Sequence, residues 1–498
     1  MKTGLFLQAI LFSVLYLSCS CKGPEPQSVA KSLTVSPDSL LFSIEGGTDT
    51  IHITTDAREW RIAASESWVS TSVDFGIARQ KDIIVTVAAS SASQLRTAKL
   101  TISAPDADTV YVFIRQDASP SSLFPDYSNP IAPDATGMSR TATQLAKEMY
   151  MGWNLGNTLE APGNETAWGN PKTTQLFIDS VKAAGFNAVR IPCAWDSYLE
   201  NRSTAKIRAS WLARVKEVID YCYKNNMYVI LNIHWDGGWL ENNVTTAKQA
   251  ENNAKQKAIW QQIAMHLREY DDHLLFAGTN EPNVDNAAQM TVLYSYLQTF
   301  IDAVRQTGGR NAYRTLVVQG PSTDIAKTNQ LMTRMPNDDV PNRLMAEVHY
   351  YTPWNFCGMD KDETWGKIFY YWGSANHSAT DATRNATWGE EAELKRLFGL
   401  MKARFTDKGI PIILGEFGAM RRNQLTGDNL TKHLASRAYF YECVAREGRN
   451  SGMIPCLWDT GIHANNNMGI FVRSSGAIAD RQAYNALMKG ATEATFPF

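Results

Sequence analysis

What the sequence lacks narrows it first. Charge of one sign is missing: 48 Lys and Arg against 50 Asp and Glu leave a net charge of −2. Such a chain has no electrostatic grip on nucleic acid or on an acidic polymer, so a neutral substrate fits better. A glycine-rich phosphate turn is missing, which speaks against a doubly wound nucleotide-binding sheet. Beyond the amino terminus no apolar run of about 18 residues occurs, so nothing later should span a bilayer. Cysteine is scarce. The seven are Cys19, Cys21, Cys193, Cys222, Cys357, Cys443 and Cys456. The last five have no paired spacing and no zinc pattern, so free and mostly buried thiols are expected. An exported chain could hold one disulfide among them, which the sequence does not assign. His234-Trp235-Asp236 has no partner at ligand spacing, so neither a metal nor a cofactor is implied.

What is present begins with an address. Lys2 is followed by an apolar run from Leu5 to Leu17 and by Ser18-Cys19-Ser20-Cys21. The run has the three-part form of a secretory signal. Its ending resembles a bacterial lipoprotein signal, in which one cysteine takes lipid and becomes the first residue. Cys21 suits that pattern better than Cys19, which has Tyr16 three positions before it. The expectation is a signal over 1–21, a lipid anchor at Cys21 as the only tie to a membrane, and a monomer facing outward from a bacterial outer membrane.

The chain of 498 residues is too long for one ordinary domain. Residues 32–117 read as β: short, alternating, β-branched runs such as Thr50–Thr54, Asp82–Val87 and Val110–Ile114 predict a small immunoglobulin-like sandwich. With Trp60 in EWRI and Trp68 in SWVS, the stretch resembles a BACON-type domain, which leaves those tryptophans as core residues or sugar platforms. Residues 118–137 carry four prolines with little periodicity and read as a semi-stiff linker. From 138 to 498 strand-like and helix-like segments alternate. Strand candidates end near Asn154, Ile191, Ile233, Thr279, Gln319, His349, Gly415 and Leu457. Eight such units predict a (β/α)8 barrel with enlarged loops.

The ends of those strands carry the chemistry. LLFAGTNEPN (274–283) delivers Asn280 and Glu281, and IPIILGEFG (410–418) delivers Glu416. Arg190, His234, His349, Tyr351 and Trp458 end four further strands. A parallel barrel places its chemistry at the carboxyl ends of its strands. Two glutamates there are the minimum equipment for cleaving a glycosidic bond. The sequence holds 14 Trp. Trp239, Trp354 and Trp372 fall in predicted loops, where an aromatic face can stack on a pyranose.

From Met151 to Gly461 this constellation resembles glycoside hydrolase family 5. MGWNLGNTLEA (151–161) and ETAWGNP (165–171) are similar to its subfamily 4. Trp458-Asp459-Thr460-Gly461 departs at Thr460, where many relatives carry Asn. The resemblance implies Glu281 as general acid/base, Glu416 as nucleophile and Asn280 on the sugar 2-hydroxyl. His234, His349 and Trp458 would surround the attacked sugar. On this reading Arg190 beside Glu416 should lower its pKa, and Glu281 should sit in a less compensated, partly desolvated setting. The expected activity is a retaining endo-β-1,4-glucanase acting on a plant β-glucan. The competing readings are a non-catalytic glycan-binding protein on a barrel scaffold and a β-mannanase.

Overall fold

The structure, a computed structural model, describes residues 30–90, 95–117 and 123–498. The signal at 1–21, with Cys19 and Cys21, lies outside the described residues. The chain divides into two compact units, Met1–Ser121 and Ser122–Phe498.

The first unit is all β. Leu33–Ser36, Gly47–Thr55, Gln80–Val87 and Val69–Thr71 form one sheet. Ser39–Phe42, Val110–Gln116, Arg96–Ser103, Trp60–Ala64 and Phe75–Gly76 form the other. Strand alternation explains the core: Ile51, Ile53, Ile83, Val85, Leu100, Ile102, Val112 and Ile114 point inward and are buried, while their neighbours face water. Trp60 belongs to that core, and its indole N–H donates to the Ala78 carbonyl. Trp68 is half-buried, with the Arg96 guanidinium 4.1 Å over its ring.

The second unit is the expected (β/α)8 barrel. Its strands are β1 (Gly152–Leu155), β2 (Ala188–Ile191), β3 (Tyr228–Asn232), β4 (Leu274–Ala277), β5 (Leu316–Gln319), β6 (Leu344–Tyr350), β7 (Ile412–Phe417) and β8 (Met453–Asp459). All neighbours pair in parallel, and β1 closes on β8 with Gly152 opposite Cys456 and Asn154 opposite Trp458. Parallel strands covered on both faces need unbroken apolar runs, and β1 to β5 are buried at every position. The helix Ala142–Glu148, with a capping box from Thr141 to Gln144, seats Leu145 and Ala146 against Ala188, Ile230, Leu275, Ile413 and Ile454. That plug fills the amino-terminal mouth and leaves the opposite mouth for solvent. Cys193, Cys222, Cys357, Cys443 and Cys456 are all free and buried.

Residues 123–137, read above as linker, run along the barrel instead. Tyr127 is tied to the barrel: its backbone N–H donates to Gln261 and its hydroxyl to the Thr204 carbonyl. Ile131–Pro133 pairs in parallel with Gly308–Gly309. Proline removes donors but leaves carbonyls, so a proline-rich strip can still dock along an edge.

Candidate active site

A fully buried guanidinium requires acceptors on every side. Arg190, at the end of β2, finds them on four other strands or strand ends. Its Nη1 donates to Glu416 Oε1 at 2.9 Å and to Asn154 Oδ1 at 3.0 Å, and Nη2 donates to Asn280 Oδ1 at 2.8 Å. Nε lies 2.9 Å from Glu347 Oε1. Asn154 donates its amide to the carbonyls of Gly415, Cys456 and Leu457, which ties the ends of β1, β7 and β8 together.

Glu416 reaches this network through an irregularity in β7. Val348 pairs with Leu414, but His349 pairs with Glu416, so Gly415 is an extra residue. Such a bulge re-aims the side chain that follows it. A Cβ at Gly415 would sit 2.1 Å from Glu347 Oε1 and 2.9 Å from His349 Nε2, so only glycine lets β7 pass there. The Tyr351 hydroxyl donates to Glu416 Oε2 at 3.1 Å.

Glu281 lies just past β4 and is the more open carboxylate: its side chain is 41% exposed, against 7% for Glu416. His349 Nδ1 holds its Oε1 at 2.6 Å. The Glu281 backbone N–H and the Asn280 Nδ2 both donate to Glu241 Oε1, at 3.0 and 3.3 Å. An oxygen of Glu281, an oxygen of Glu416 and a nitrogen of His349 all lie within 4.8 Å of one another.

The charges of this group reverse the expectation from sequence. Burial disfavours an imidazolium at His349, but Glu416, Glu281 and Glu347 outweigh it and raise its pKa to about 9. Burial also raises Glu416 above the ordinary carboxylate range, against the pull of His349 and Arg190. Burial would raise Glu281 too, yet the hydrogen bond and charge of His349 prevail and lower it. The nucleophile position is therefore the more basic carboxyl of the free site. His234 is pushed far below its usual value by burial, with Arg190 and His349 adding to it, so it is neutral. Tyr351 is pushed well up by burial and remains a donor. The Glu281, His349 and Glu416 donor atoms are close enough for a cation, but a protonated His349 has no lone pair to offer. Its Nδ1 is engaged by Glu281 and its Nε2 faces Glu347 at 3.3 Å.

Aromatic side chains wall the mouth. Trp458 and His234 lie parallel, 9° apart with centroids 5.7 Å apart. Trp354 and Trp388 are half-exposed and line, with Glu281, His349 and Tyr351, a cavity of about 430 Å³. Trp239 is committed locally: its indole N–H donates to Asp236, and Lys255 lies 4.2 Å over its ring. Trp372 is fully buried and bonds the Gly389 carbonyl, so it is core and no platform. Glu241, Glu347, Asn154, Trp235 and Trp388 also belong to this face and were not singled out from sequence. Glu347 had a signal, because two residues before His349 in a strand is the same face.

Carboxylates brought together at the carboxyl ends of β4 and β7 of a closed barrel define a glycoside hydrolase. Residues 154–464 match the family model "Cellulase (glycosyl hydrolase family 5)", and the chain belongs to that family. It is 37% identical to the xyloglucan-specific endo-β-1,4-glucanase of Bacteroides ovatus, over 97% of this chain and 95% of that one. Endoglucanase A of Paenibacillus barcinonensis is 34% identical over 71% of this chain and 90% of its own. A solved Bacteroides ovatus GH5 xyloglucanase in complex with a XXXG heptasaccharide superposes with a TM-score of 0.70 at 35% identity, covering 93% of this chain and all of that one. A xyloglucan-specific β-1,4-glucanase from a ruminal metagenomic library, solved with XXLG, gives 0.66 at 42% identity over 72% of this chain and 98% of that one.

Proposed function

We infer that this chain is a retaining endo-β-1,4-glucanase that cleaves the backbone of a xyloglucan-type β-glucan, with Glu416 as nucleophile and Glu281 as general acid/base. The observation that carries this reading is the short gap between the two carboxylates, with oxygens within 4.8 Å. Retaining enzymes hold their carboxyls about 5–5.5 Å apart for direct attack on the anomeric carbon, whereas inverting ones leave about 6.5–9.5 Å for a water. Arg190 and Tyr351 orient Glu416 for that attack, and the Asn280 amide faces the sugar 2-hydroxyl. Glu281 protonates the departing oxygen and later takes a proton from the attacking water.

Substrate puts the protons where this cycle needs them. A sugar seated over Glu281 removes the water that its open side chain still holds, which raises its pKa. Glu416 is already dry and loses little. Desolvation of Glu281 by a seated sugar thus works against the pull of His349 and favours its protonated form.

The xyloglucan preference draws on the Bacteroides ovatus enzyme and the ruminal metagenomic enzyme, both named for that substrate. A broad-specificity GH5-4 endoglucanase from Clostridium acetobutylicum is also similar, at 30% identity and a TM-score of 0.60. Parallel digestion of xyloglucan, mixed-linkage glucan and carboxymethylcellulose tests the reading. Xyloglucan should fall to a few discrete branched oligosaccharides, with the anomer first released in the β configuration by NMR. Equal rates on all three polymers would replace the preference with broad specificity, and an α product would remove the retaining mechanism.

We also propose that Cys21 carries lipid on an outward-facing outer-membrane protein, and that residues 32–117 are a BACON-type spacer. The support is the form of the signal and the pattern of the β stretch.

A further inference from the structure

One carboxylate in the mouth has no part in the chemistry above. Glu241 lies in the short turn Glu241–Asn243 after β3 and is 6% exposed. Its Oε1 receives two donors, the Glu281 backbone N–H and Asn280 Nδ2. Its Oε2 is buried without a hydrogen-bond partner among the described residues. Stability alone does not explain that arrangement, because a buried carboxylate with one oxygen unsatisfied is costly to keep.

The two donors are the groups whose placement the reaction depends on. Glu281 lies four residues beyond Ala277, the last residue of β4, where its N–H has left the strand ladder. Glu241 supplies the acceptor that pins the acid/base backbone. Asn280 has two ends to assign. Arg190 only donates, so the amide oxygen must face it, and the amide nitrogen then needs an acceptor on the other side. Glu241 is that acceptor, and the second N–H of the amide is left for a sugar hydroxyl.

We propose that Glu241 is a positioning residue of this glycosidase, holding the acid/base Glu281 and the sugar-binding amide of Asn280 through one shared carboxylate oxygen. The proposal rests on the functional reading above. It has an electrostatic consequence. Burial first, then the charge of Glu281, push the Glu241 carboxyl up to about 7. The charged groups that bear on it are Glu281 and Glu416. On the adjoining elements, Asp236 is committed to the backbone N–H groups of Trp195 and Asp196, and Lys255 to Asp196 at 2.5 Å. An ionised Glu241 disfavours a second negative charge on Glu281, so it keeps the acid protonated to higher pH.

The test compares wild type, Glu241→Gln and Glu241→Ala on xyloglucan and on a dinitrophenyl β-cellobioside, whose leaving group needs no protonation. Wild-type turnover of both substrates first secures the functional reading, and its absence would fail that reading rather than this one. For a retaining enzyme kcat/KM reports the first displacement. Glu241→Ala should lower kcat/KM on xyloglucan about 100-fold, the order of a lost general acid, and on the aryl glycoside at least tenfold less. Glu241→Gln keeps an acceptor oxygen but no charge, so it should retain most activity while the alkaline limb of its pH profile moves to lower pH. Equal losses on both substrates, or an unmoved alkaline limb in Glu241→Gln, would reduce Glu241 to a structural residue. If Glu241→Ala does not fold, the limb in Glu241→Gln decides alone.

Discussion

At the scale of single residues, the types were legible and their charges were not. Arg190, Asn280, Glu281, His349, Tyr351 and Glu416 stood out because each ends an apolar run. Which carboxyl holds the proton depends on which one His349 touches, and no spacing in the sequence encodes that contact. The assignment of roles predicts different losses for the two glutamates. Glu416→Ala should lose turnover by several orders of magnitude on every substrate. With an activated aryl glycoside, added azide should restore turnover and give a glycosyl azide of inverted configuration, since the anion takes the empty place of the nucleophile. Glu281→Ala should give the retained azide instead. Its pH profile on the aryl glycoside should keep the acid limb, because Glu416 must still ionise, and lose the alkaline limb, because no acid remains to deprotonate. The configuration is read by NMR. The same anomer from both variants would undo the assignment.

At the scale of elements, apolar runs located all eight barrel strands, since a parallel strand buried on both faces has no other way to be written. Helix ends were less visible. The helix Thr246–His266 begins on polar, largely exposed residues and buries a face only from Asn252 onward, so no apolar stripe marks its start. The strip at Ile131–Pro133 was invisible for a related reason: its partner, Gly308–Gly309, offers backbone alone. The β7 bulge was equally hidden, though its glycine stands in the GEFG motif. Gly415→Ala tests what the bulge does. The new methyl meets Glu347 and His349, so it must displace Glu347, the carboxylate that pairs with Arg190 Nε. Overpacking of this kind costs about 1–3 kcal/mol, which should appear as a lower Tm in a protein that still folds. Activity should fall far more than stability, because the Glu416 carboxylate moves with the bulge. A variant with wild-type kcat would show that β7 positions Glu416 without it.

At the scale of the whole molecule, the two units have separate hydrophobic cores: the first unit's lies around Trp60 and Ile83, and the second's lie between the barrel strands and their helices and within the barrel. Every residue given a role in the reaction belongs to the second. Removing 32–117 cuts neither the barrel nor the strip at 123–137 that docks on it, so kcat/KM on soluble xyloglucan should stay within about twofold. The proposed anchor makes a separate claim. Cys21→Ala should move the protein from the membrane fraction of the producing cell to the soluble one, and protease added to intact cells should digest the wild type. Protection of the wild type would place it on the inner side while leaving the anchor standing. The spacer reading predicts that the isolated module migrates through a β-glucan gel without retardation. Its tryptophans make poor platforms, since Trp60 is buried and Trp68 lies under Arg96. Retardation would therefore overturn the spacer reading and direct mutation to the exposed aromatics of the strand Val110–Gln116, Phe113 and Tyr111, the latter with Lys99 4.3 Å over its ring. Alternation puts those two on one face of the sheet, beside the exposed Leu41 of the neighbouring strand Ser39–Phe42. A double change to alanine there should abolish the retardation and leave turnover of soluble glucan untouched.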